Sequence, residues 1–206
     1  MFGLQIYFDS RDHPCVWYAS GRMLEEAENI PETLGQFRGR FWDVGANVGF
    51  YSLWMASRGN PVVSFDISPK AISYLLKSMA KNNLKNLIGV PRAFSTEPFR
   101  YKMPQTAVGG NQLQAATGVA DATAITYLEA AEKFGVPAAI KMDIEGHEEK
   151  FLRSEEFKQW IIRNRITLIM ELHQKEFWNL LWPDVKQVRL GQNMVLLNPP
   201  ENPAGS

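Results

Sequence analysis

The sequence predicts an α/β fold in which a mostly parallel sheet is covered by helices on both faces. Short apolar segments alternate with segments of helical periodicity from about residue 40 onward. This alternation is typical of parallel sheets, whose strands are buried on both sides. The first apolar segment enters a helix through a turn that contains Gly45 and Gly49. Ligands of such sheets bind outside the carboxyl ends of the strands, so a functional site is expected there.

The chain has the length of one domain, because 206 residues fall near the usual size of about 100–200 residues. We expect a single domain over residues 1–206. It would consist of an N-terminal extension (1–39), a core (40–197) and a flexible tail (198–206). The tail carries three prolines and few apolar residues.

Composition excludes several classes of protein. Apolar residues make up 45% and charged residues 21%, which argues against wholesale disorder. The 22 basic residues balance the 22 acidic ones, so the general basic surplus of a nucleic-acid binder is missing. The one cysteine cannot form an internal disulfide. Neither a membrane-spanning run nor a clean apolar leader is present in the sequence, so we expect a cytoplasmic protein.

The elements are predicted from periodicity and from residues that start or end helices. Pro69 suits the first turn of a helix, and Gly135 suits the end of another. Before residue 40 we expect strands at 4–8 and 15–19, then helical stretches over 22–37 that are interrupted near Pro31. The predicted strands of the core are 40–44, 61–65, 87–93, 138–142 and 166–172. The predicted helices are 49–57, 69–82, 123–134, 147–163 and a short turn at 177–181. Residues 94–122 show no periodicity, and 185–197 predict an antiparallel hairpin.

The glycine turn after the first strand predicts a ligand site. Glycines let the backbone approach a ligand, and the following helix presents free N–H groups. A dinucleotide-binding turn needs a third glycine, which is missing here. Asp43 before the turn would repel a pyrophosphate but would suit a ligand with a cationic amine, such as S-adenosylmethionine. An ordinary strand–helix turn is the alternative interpretation.

Asp66 at the end of the second strand fits a nucleoside site. In nucleoside-binding α/β folds, an acid about 20 residues beyond the glycines accepts hydrogen bonds from ribose hydroxyls. Asp66 could instead cap the helix that begins at Pro69, although Ser68 could also do so.

Carboxylates gather at the ends of the fourth and fifth strands. Asp143 and Glu145 would share a face if the chain stayed extended, and so would Glu171 and His173. This clustering needs a positive partner, which could be a sulfonium, Lys141 or a metal ion; we expect no metal. The alternative is that some of these acids cap the next helix, since Glu145 and Glu148 fall in its first turn. We expect His147 at the surface.

Three segments together resemble the FkbM-type methyltransferase family, a branch of the S-adenosylmethionine-dependent class I enzymes. They are residues 41–52 (FWDVGANVGFYS), 141–148 (KMDIEGHE) and 171–173 (ELH). The resemblance implies a Rossmann-like class I fold with a seven-stranded sheet, S-adenosyl-L-methionine as cofactor, and O-methylation, often of sugars or secondary metabolites. The family usually has Phe-Glu-Pro after the second strand, where this chain has Phe-Asp-Ile.

The resemblance also assigns roles to residues. The methionine end of the cofactor would lie against Asp43, Gly45, Asn47 and Gly49. Asp66 would hold the ribose, and Ala93 and Phe94 complete the expected cofactor set. The expected catalytic residues are Asp143, Glu145 and His173, with Asp143 as the first candidate for general base and His173 as the second.

The function expected from the sequence is methyl transfer to a hydroxyl of a small molecule or sugar. N-methylation of a protein or nucleic acid is an alternative, although the NPPE segment at 198–201 lacks the aromatic residue typical of amino-methyltransferases. A nicotinamide-dependent oxidoreductase and a non-catalytic nucleoside-binding module are further alternatives. We expect no membrane partner and disfavour a nucleic-acid partner; the sequence predicts neither the acceptor nor the oligomeric state.

Overall fold

A computed structural model describes residues 3–7, 30–102, 122–191 and 193–197. Its main sheet has seven strands: β1 (Phe41–Val44), β2 (Val62–Phe65), β3 (Leu87–Val90), β8 (Ala139–Met142), β9 (Thr167–Glu171), β10 (Gln187–Arg189) and β11 (Met194–Leu197). Their order across the sheet is β10-β11-β9-β8-β1-β2-β3. Five neighbouring strands from β9 to β3 are parallel, and β11 and β10 are antiparallel. The predicted Rossmann-like fold is confirmed, including its C-terminal hairpin.

The helices are α1 (Ile30–Gly35), α2 (Phe50–Ser57), α3 (Pro69–Lys81), α4 (Tyr127–Phe134), α5 (Glu148–Arg153) and α6 (Glu155–Arg163), with a 3₁₀ helix at Lys175–Leu180. Two small sheets complete the described elements. One pairs β4 (Phe94–Ser95) with β7 (Ile125–Thr126), and the other pairs β5 (Arg100–Tyr101) with β6 (Ala122–Thr123). No helix within these described ranges is both long and apolar enough to cross a bilayer.

Both faces of the main sheet are buried. On one face, Trp42 and Val44 pack among aromatic side chains from β2, β4, α5 and α6. On the other face, Phe41 packs against apolar residues of α2 and α3. Successive residues of β1 therefore serve opposite cores, which explains why the strand is apolar throughout except for Asp43.

Some predicted elements were wrong in their bounds. The helix predicted at 147–163 is two helices, because Ser154 leaves the helical conformation and its side chain caps α6 by accepting from the Phe157 N–H at 3.2 Å. The helix predicted at 123–134 begins only at Tyr127. Thr126 and Glu129 form a capping box there, and β6 and β7 precede it.

Other corrections concern segments where the sequence pattern was weak. Residues 4–7 form no strand, and α1 includes Pro31 in its first turn instead of breaking there. The third strand ends at Val90, and residues 94–102 contain two short strands that the lack of periodicity did not predict. The predictions for 15–19 and 198–206 lie outside the described residues. The division into extension, core and tail stays a prediction.

Candidate active site

A cleft opens at the carboxyl ends of β1, β2 and β8, as the rule for parallel sheets predicts. It holds about 860 Å³ of space, with open solvent at its mouth included. Its walls contain seven of the predicted site residues: Gly45, Asn47, Asp66, Ala93, Phe94, Asp143 and Glu145. Asp43, Gly49 and His173 are absent from these walls.

The glycine turn brings the backbone of β1 against that of the segment after β8. Gly45 has φ +76°, and a Cβ there would lie 1.7 Å from the carbonyl oxygen of Asp143. No side chain fits that space, so Gly45 is what allows the two chain segments to meet. Gly49 serves packing instead, because a Cβ there would lie 1.6 Å from Leu75 Cδ1 of α3.

Asp66 is held by two backbone groups beside the turn. Its Oδ2 accepts from the Asn47 N–H and its Oδ1 from the Ser68 N–H, both at 2.8 Å. Burial raises the pKa of Asp66 to about 6, although these hydrogen bonds lower it in part. The residue that caps α3 is Ser68, which accepts from the Ala71 N–H at 3.2 Å. Each Asp66 oxygen keeps a second lone pair for a ligand.

Asp43 lies beneath the turn and does not reach the cleft. Its Oδ2 accepts from Ser52 Oγ at 2.5 Å, and Ser52 lies 2.7 Å from Ser64 Oγ. Burial raises the pKa of Asp43, and the nearby Lys141 opposes that rise. This placement therefore does not favour the expected contact between Asp43 and a cationic amine of the cofactor.

Lys141 supplies the positive charge that the acid cluster requires. Its side chain is 4% exposed, and its Nζ lies 3.0 Å from Asp143 Oδ2 and 3.9 Å from Asp43 Oδ1. Burial would lower the pKa of Lys141, but Asp143 and Asp43 outweigh burial and raise it. The lysine is therefore charged at neutral pH and links the buried acid to the acid of the cleft.

His173 lies among three carboxylates. Its Nε2 is 3.5 Å from both Asp143 Oδ1 and Glu145 Oε2, and its Nδ1 is 3.2 Å from Glu148 Oε1. The hydrogen bond with Glu148 raises the pKa of His173 to about 9, against the opposing effect of burial. A protonated imidazole has no lone pair to accept a proton, so Asp143 is the better candidate for the base.

Glu148 is a site residue that the sequence interpretation missed. The prediction treated it as an acid in the first turn of a helix, which its position at the start of α5 also satisfies. Its side chain is fully buried, and its two oxygens accept from the N–H groups of Ile144 at 2.7 Å and Gly146 at 2.8 Å. These two bonds to the turn and the contact with His173 distinguish it from an ordinary helix acid.

The sequence argument that Asp143 and Glu145 share a face assumed an extended chain between β8 and α5. The chain is not extended there. Glu145 has φ +55° and Gly146 has φ +100°, so the backbone turns sharply there. Asp143 and Glu145 nevertheless both approach His173, because the turn brings them together. His147 lines the cleft half-buried instead of lying at the surface, and burial lowers its pKa.

The cluster also contains a set of potential metal ligands. Asp143, Glu148 and His173 each offer an atom within 4.8 Å of the others. However, Glu148 faces Nδ1 of the ring, whereas Asp143 faces Nε2, and Glu148 already accepts from two backbone N–H groups. Hydrogen bonds and the charges of Lys141 and His173 account for this arrangement. The expectation of no metal stays a prediction.

The fold and cleft together define a Rossmann-like protein with a cleft at the carboxyl ends of its parallel strands. The sequence model of the family described as the methyltransferase FkbM domain matches residues 43–190 of this chain. The chain therefore belongs to the FkbM methyltransferase family and is an S-adenosylmethionine-dependent methyltransferase. This membership overturns the oxidoreductase alternative.

Solved structures give a weaker likeness. The chain is 13% identical to the C-terminal domain of precorrin-6Y C5,15-methyltransferase from Rhodobacter capsulatus, with a TM-score of 0.48 over 84% of this chain and 86% of that one. It is 18% identical to the METTL16 MTase domain, with a TM-score of 0.48 over 95% of this chain and 72% of that one. It is 10% identical to the Pyrococcus abyssi tRNA (uracil-54, C5)-methyltransferase in complex with S-adenosyl-L-homocysteine. That match has a TM-score of 0.41 and covers 84% of this chain and 37% of that one. No curated protein matches the sequence.

The residues of the cleft fit S-adenosylmethionine. Asp66 offers acceptors for ribose hydroxyls, and the apolar walls at Ile67, Phe94 and Phe99 suit the adenine ring. The side-chain oxygen of Asn47 is buried and accepts no hydrogen bond from the part of the chain that the structure describes. A cleft residue with a spare acceptor is what a ligand with several N–H and O–H donors needs.

Cofactor affinity should depend on pH through Asp66. Below a pKa of about 6 the carboxyl is protonated, and it then loses acceptor capacity for the ribose. We expect the Kd of S-adenosylhomocysteine to rise about tenfold from pH 7.5 to pH 5, as one proton with this pKa requires. Calorimetry across this range measures it. Asp66→Asn should bind more weakly at pH 7.5 and show a nearly flat profile; a steep profile in that variant would contradict the assignment.

Proposed function

We propose that this enzyme transfers the methyl group to a hydroxyl of a small molecule or sugar. The observation that carries the proposal is the pair of carboxylates in the cleft wall, Asp143 and Glu145, each 3.5 Å from His173 Nε2. Two neighbouring carboxylates accept hydrogen bonds from two neighbouring hydroxyls, which sugars and polyols offer.

A hydroxyl acceptor must lose its proton as it is methylated. S-adenosylmethionine supplies a methyl group on a positively charged sulfur. Asp143 is the candidate to take the acceptor proton, because Lys141 on Oδ2 and His173 near Oδ1 hold its side chain in place. The cleft walls align the acceptor, and alignment alone contributes several kcal/mol in such reactions.

Replacing the proposed base should separate turnover from binding. We expect Asp143→Asn to lower kcat about 100-fold, the lower end of general-base effects, and to change the Kd of S-adenosylhomocysteine less than threefold. Radiolabelled methyl transfer and calorimetry give the two numbers. Asp184→Asn is the control, because the Asp184 side chain is exposed and pairs with Lys158, another residue outside the cleft wall. Unchanged turnover in Asp143→Asn would remove the residue from the reaction.

The acceptor class is tested by a panel assay. S-adenosylmethionine, S-adenosylhomocysteine and NAD are first titrated by calorimetry, with and without Mg²⁺. Labelled methyl transfer is then measured to monosaccharides and glycosides, to lysine peptides and to single-stranded oligonucleotides. Transfer to the sugars alone supports the proposal, and transfer to peptide or oligonucleotide supports the N-methylation alternative. Binding without any transfer favours the non-catalytic module.

The expectations about the acceptor, the partner and the cellular location are part of this proposal. The balanced charge of the chain disfavours a nucleic-acid acceptor. The NPPE segment at 198–201 lies outside the described residues. A cytoplasmic location and a small-molecule partner stay predictions from composition and resemblance.

A further inference from the structure

Glu148 joins three parts of the active site through one side chain. Its Oε1 accepts from the Ile144 N–H, its Oε2 accepts from the Gly146 N–H, and Oε1 also lies 3.2 Å from His173 Nδ1. The two amides flank Glu145, and the imidazole belongs to the segment after β9. All three partners are donors, and a carboxylate offers acceptor sites for them on both of its oxygens.

The turn that Glu148 holds has an unfavourable backbone conformation. Glu145 has φ +55°, a value that side chains other than glycine adopt at a cost, and Gly146 has φ +100°. Two short hydrogen bonds to a fully buried acid offset that cost. Without them the turn could relax, and the Glu145 carboxylate would leave its place beside His173 Nε2.

Glu148 also fixes the imidazole. A donor bond from Nδ1 sets the orientation of the ring and directs Nε2 towards Asp143 and Glu145. The charged groups that face His173 are Asp143 and Glu145 after β8, Glu148 of α5 and Glu171 of β9. Among them Glu148 is the fully buried one, so its charge acts on the ring with little screening by water.

We propose that Glu148 is the positioning residue of this active site. It acts through His173 and through the 144–146 turn, and it holds the two cleft carboxylates in their reactive arrangement. Its side chain is fully buried and is not part of the cleft wall. The expected effect on turnover rests on the proposed function; the effects on His173 and on the turn do not.

The first test is Glu148→Gln, which keeps the size of the side chain and removes its charge. An amide has one acceptor oxygen and places an NH₂ group against at least one of the three donors. We expect kcat to fall about 100-fold with an acceptor from the panel, as for loss of an oriented acid–base group, with the Kd of S-adenosylhomocysteine within threefold. Glu148→Asp, which keeps the charge, should recover part of the loss.

NMR of ¹⁵N-histidine gives a readout without an acceptor. In the wild type we expect His173 to stay protonated up to about pH 9, with a protected Nδ1 proton. In Glu148→Gln it should titrate near neutral pH, and the amides of Ile144 and Gly146 should exchange faster. His173→Asn assigns the signal.

Two control variants separate positioning from general stability. Glu149→Gln changes the adjacent acid, which is half-exposed and bonds Arg153, and should leave turnover and the His173 titration unchanged. Ile161→Val trims the buried core of α6 and should lower Tm without lowering kcat.

Several results would overturn the inference. It fails if folded Glu148→Gln keeps wild-type turnover and His173 titration. If that variant does not fold, the His173 titration of the wild type tests the inference instead. Loss of the His173 proton below pH 7 would contradict the contact between His173 and Glu148. If no hydroxyl acceptor exists, the proposed function fails, and the NMR measurements still decide the role of Glu148.

Discussion

Lys141→Met should destabilise the protein by about 3 kcal/mol, the lower end of the range for breaking a buried ion pair. The lysine side chain is 4% exposed and lies between Asp43 and Asp143. Methionine fills similar space but removes the cation that Asp43 and Asp143 share, and only Asp143 keeps a second cationic neighbour, His173. Asp43 is the more affected acid, since it is fully buried and one of its oxygens accepts no hydrogen bond among the described residues.

Urea unfolding at pH 7.5 measures this effect, and Tm should fall by about 10 °C for a chain of this length. The effect should shrink as the pH falls, because burial raises the pKa of Asp43, loss of the lysine raises it further, and protonation then removes the unpaired charge. Lys85→Met, at an exposed loop position, is the control. The double variant Lys141→Met with Asp43→Asn should be more stable than Lys141→Met alone. A Tm within about 2 °C of wild type in the single variant would show that the pair contributes little.

The parallel core of the fold could be predicted because strands buried on both faces are continuous apolar runs. The same property hides which way each side chain points. In β1 all four residues are buried, so no alternation marks Asp43 as facing the α2 side of the sheet and away from the cleft. The prediction of one helix over 147–163 failed for a related reason. The apolar periodicity continues past Ser154, and only the cap at Ser154 divides the segment into two helices.

The location of the site could be predicted, but the roles within it could not. The carboxyl ends of parallel strands meet at one edge, which is enough to bring Asp143 and His173 together. Glu148 follows the same sequence pattern as an acid that interacts with a helix dipole. Its actual partners are two backbone amides in a turn with positive φ and a histidine 25 positions away in sequence, and no local pattern encodes such contacts.

Gly45→Ala should abolish cofactor binding and strongly destabilise the fold. A Cβ at this position would lie 1.7 Å from the carbonyl oxygen and 2.8 Å from the carbonyl carbon of Asp143. Both atoms are backbone, so no side chain can rotate to relieve the contact. Either β1 or the segment after β8 must move, and each carries cleft residues. We expect a loss of about 3 kcal/mol or more, together with S-adenosylhomocysteine affinity weakened beyond detection.

Gly59→Ala is the matched control for this effect. Gly59 has φ +85°, close to the +76° of Gly45, but a Cβ there would meet no atom within 4 Å. It should lose only the about 1–2 kcal/mol that a left-handed conformation costs an L-residue, and it should bind S-adenosylhomocysteine like the wild type. The difference between the two variants therefore isolates the contact between β1 and the Asp143 backbone from the strain of positive φ. Equal Tm values for both would mean that the two strand ends separate easily, and the cleft would then not depend on the close approach that Gly45 permits.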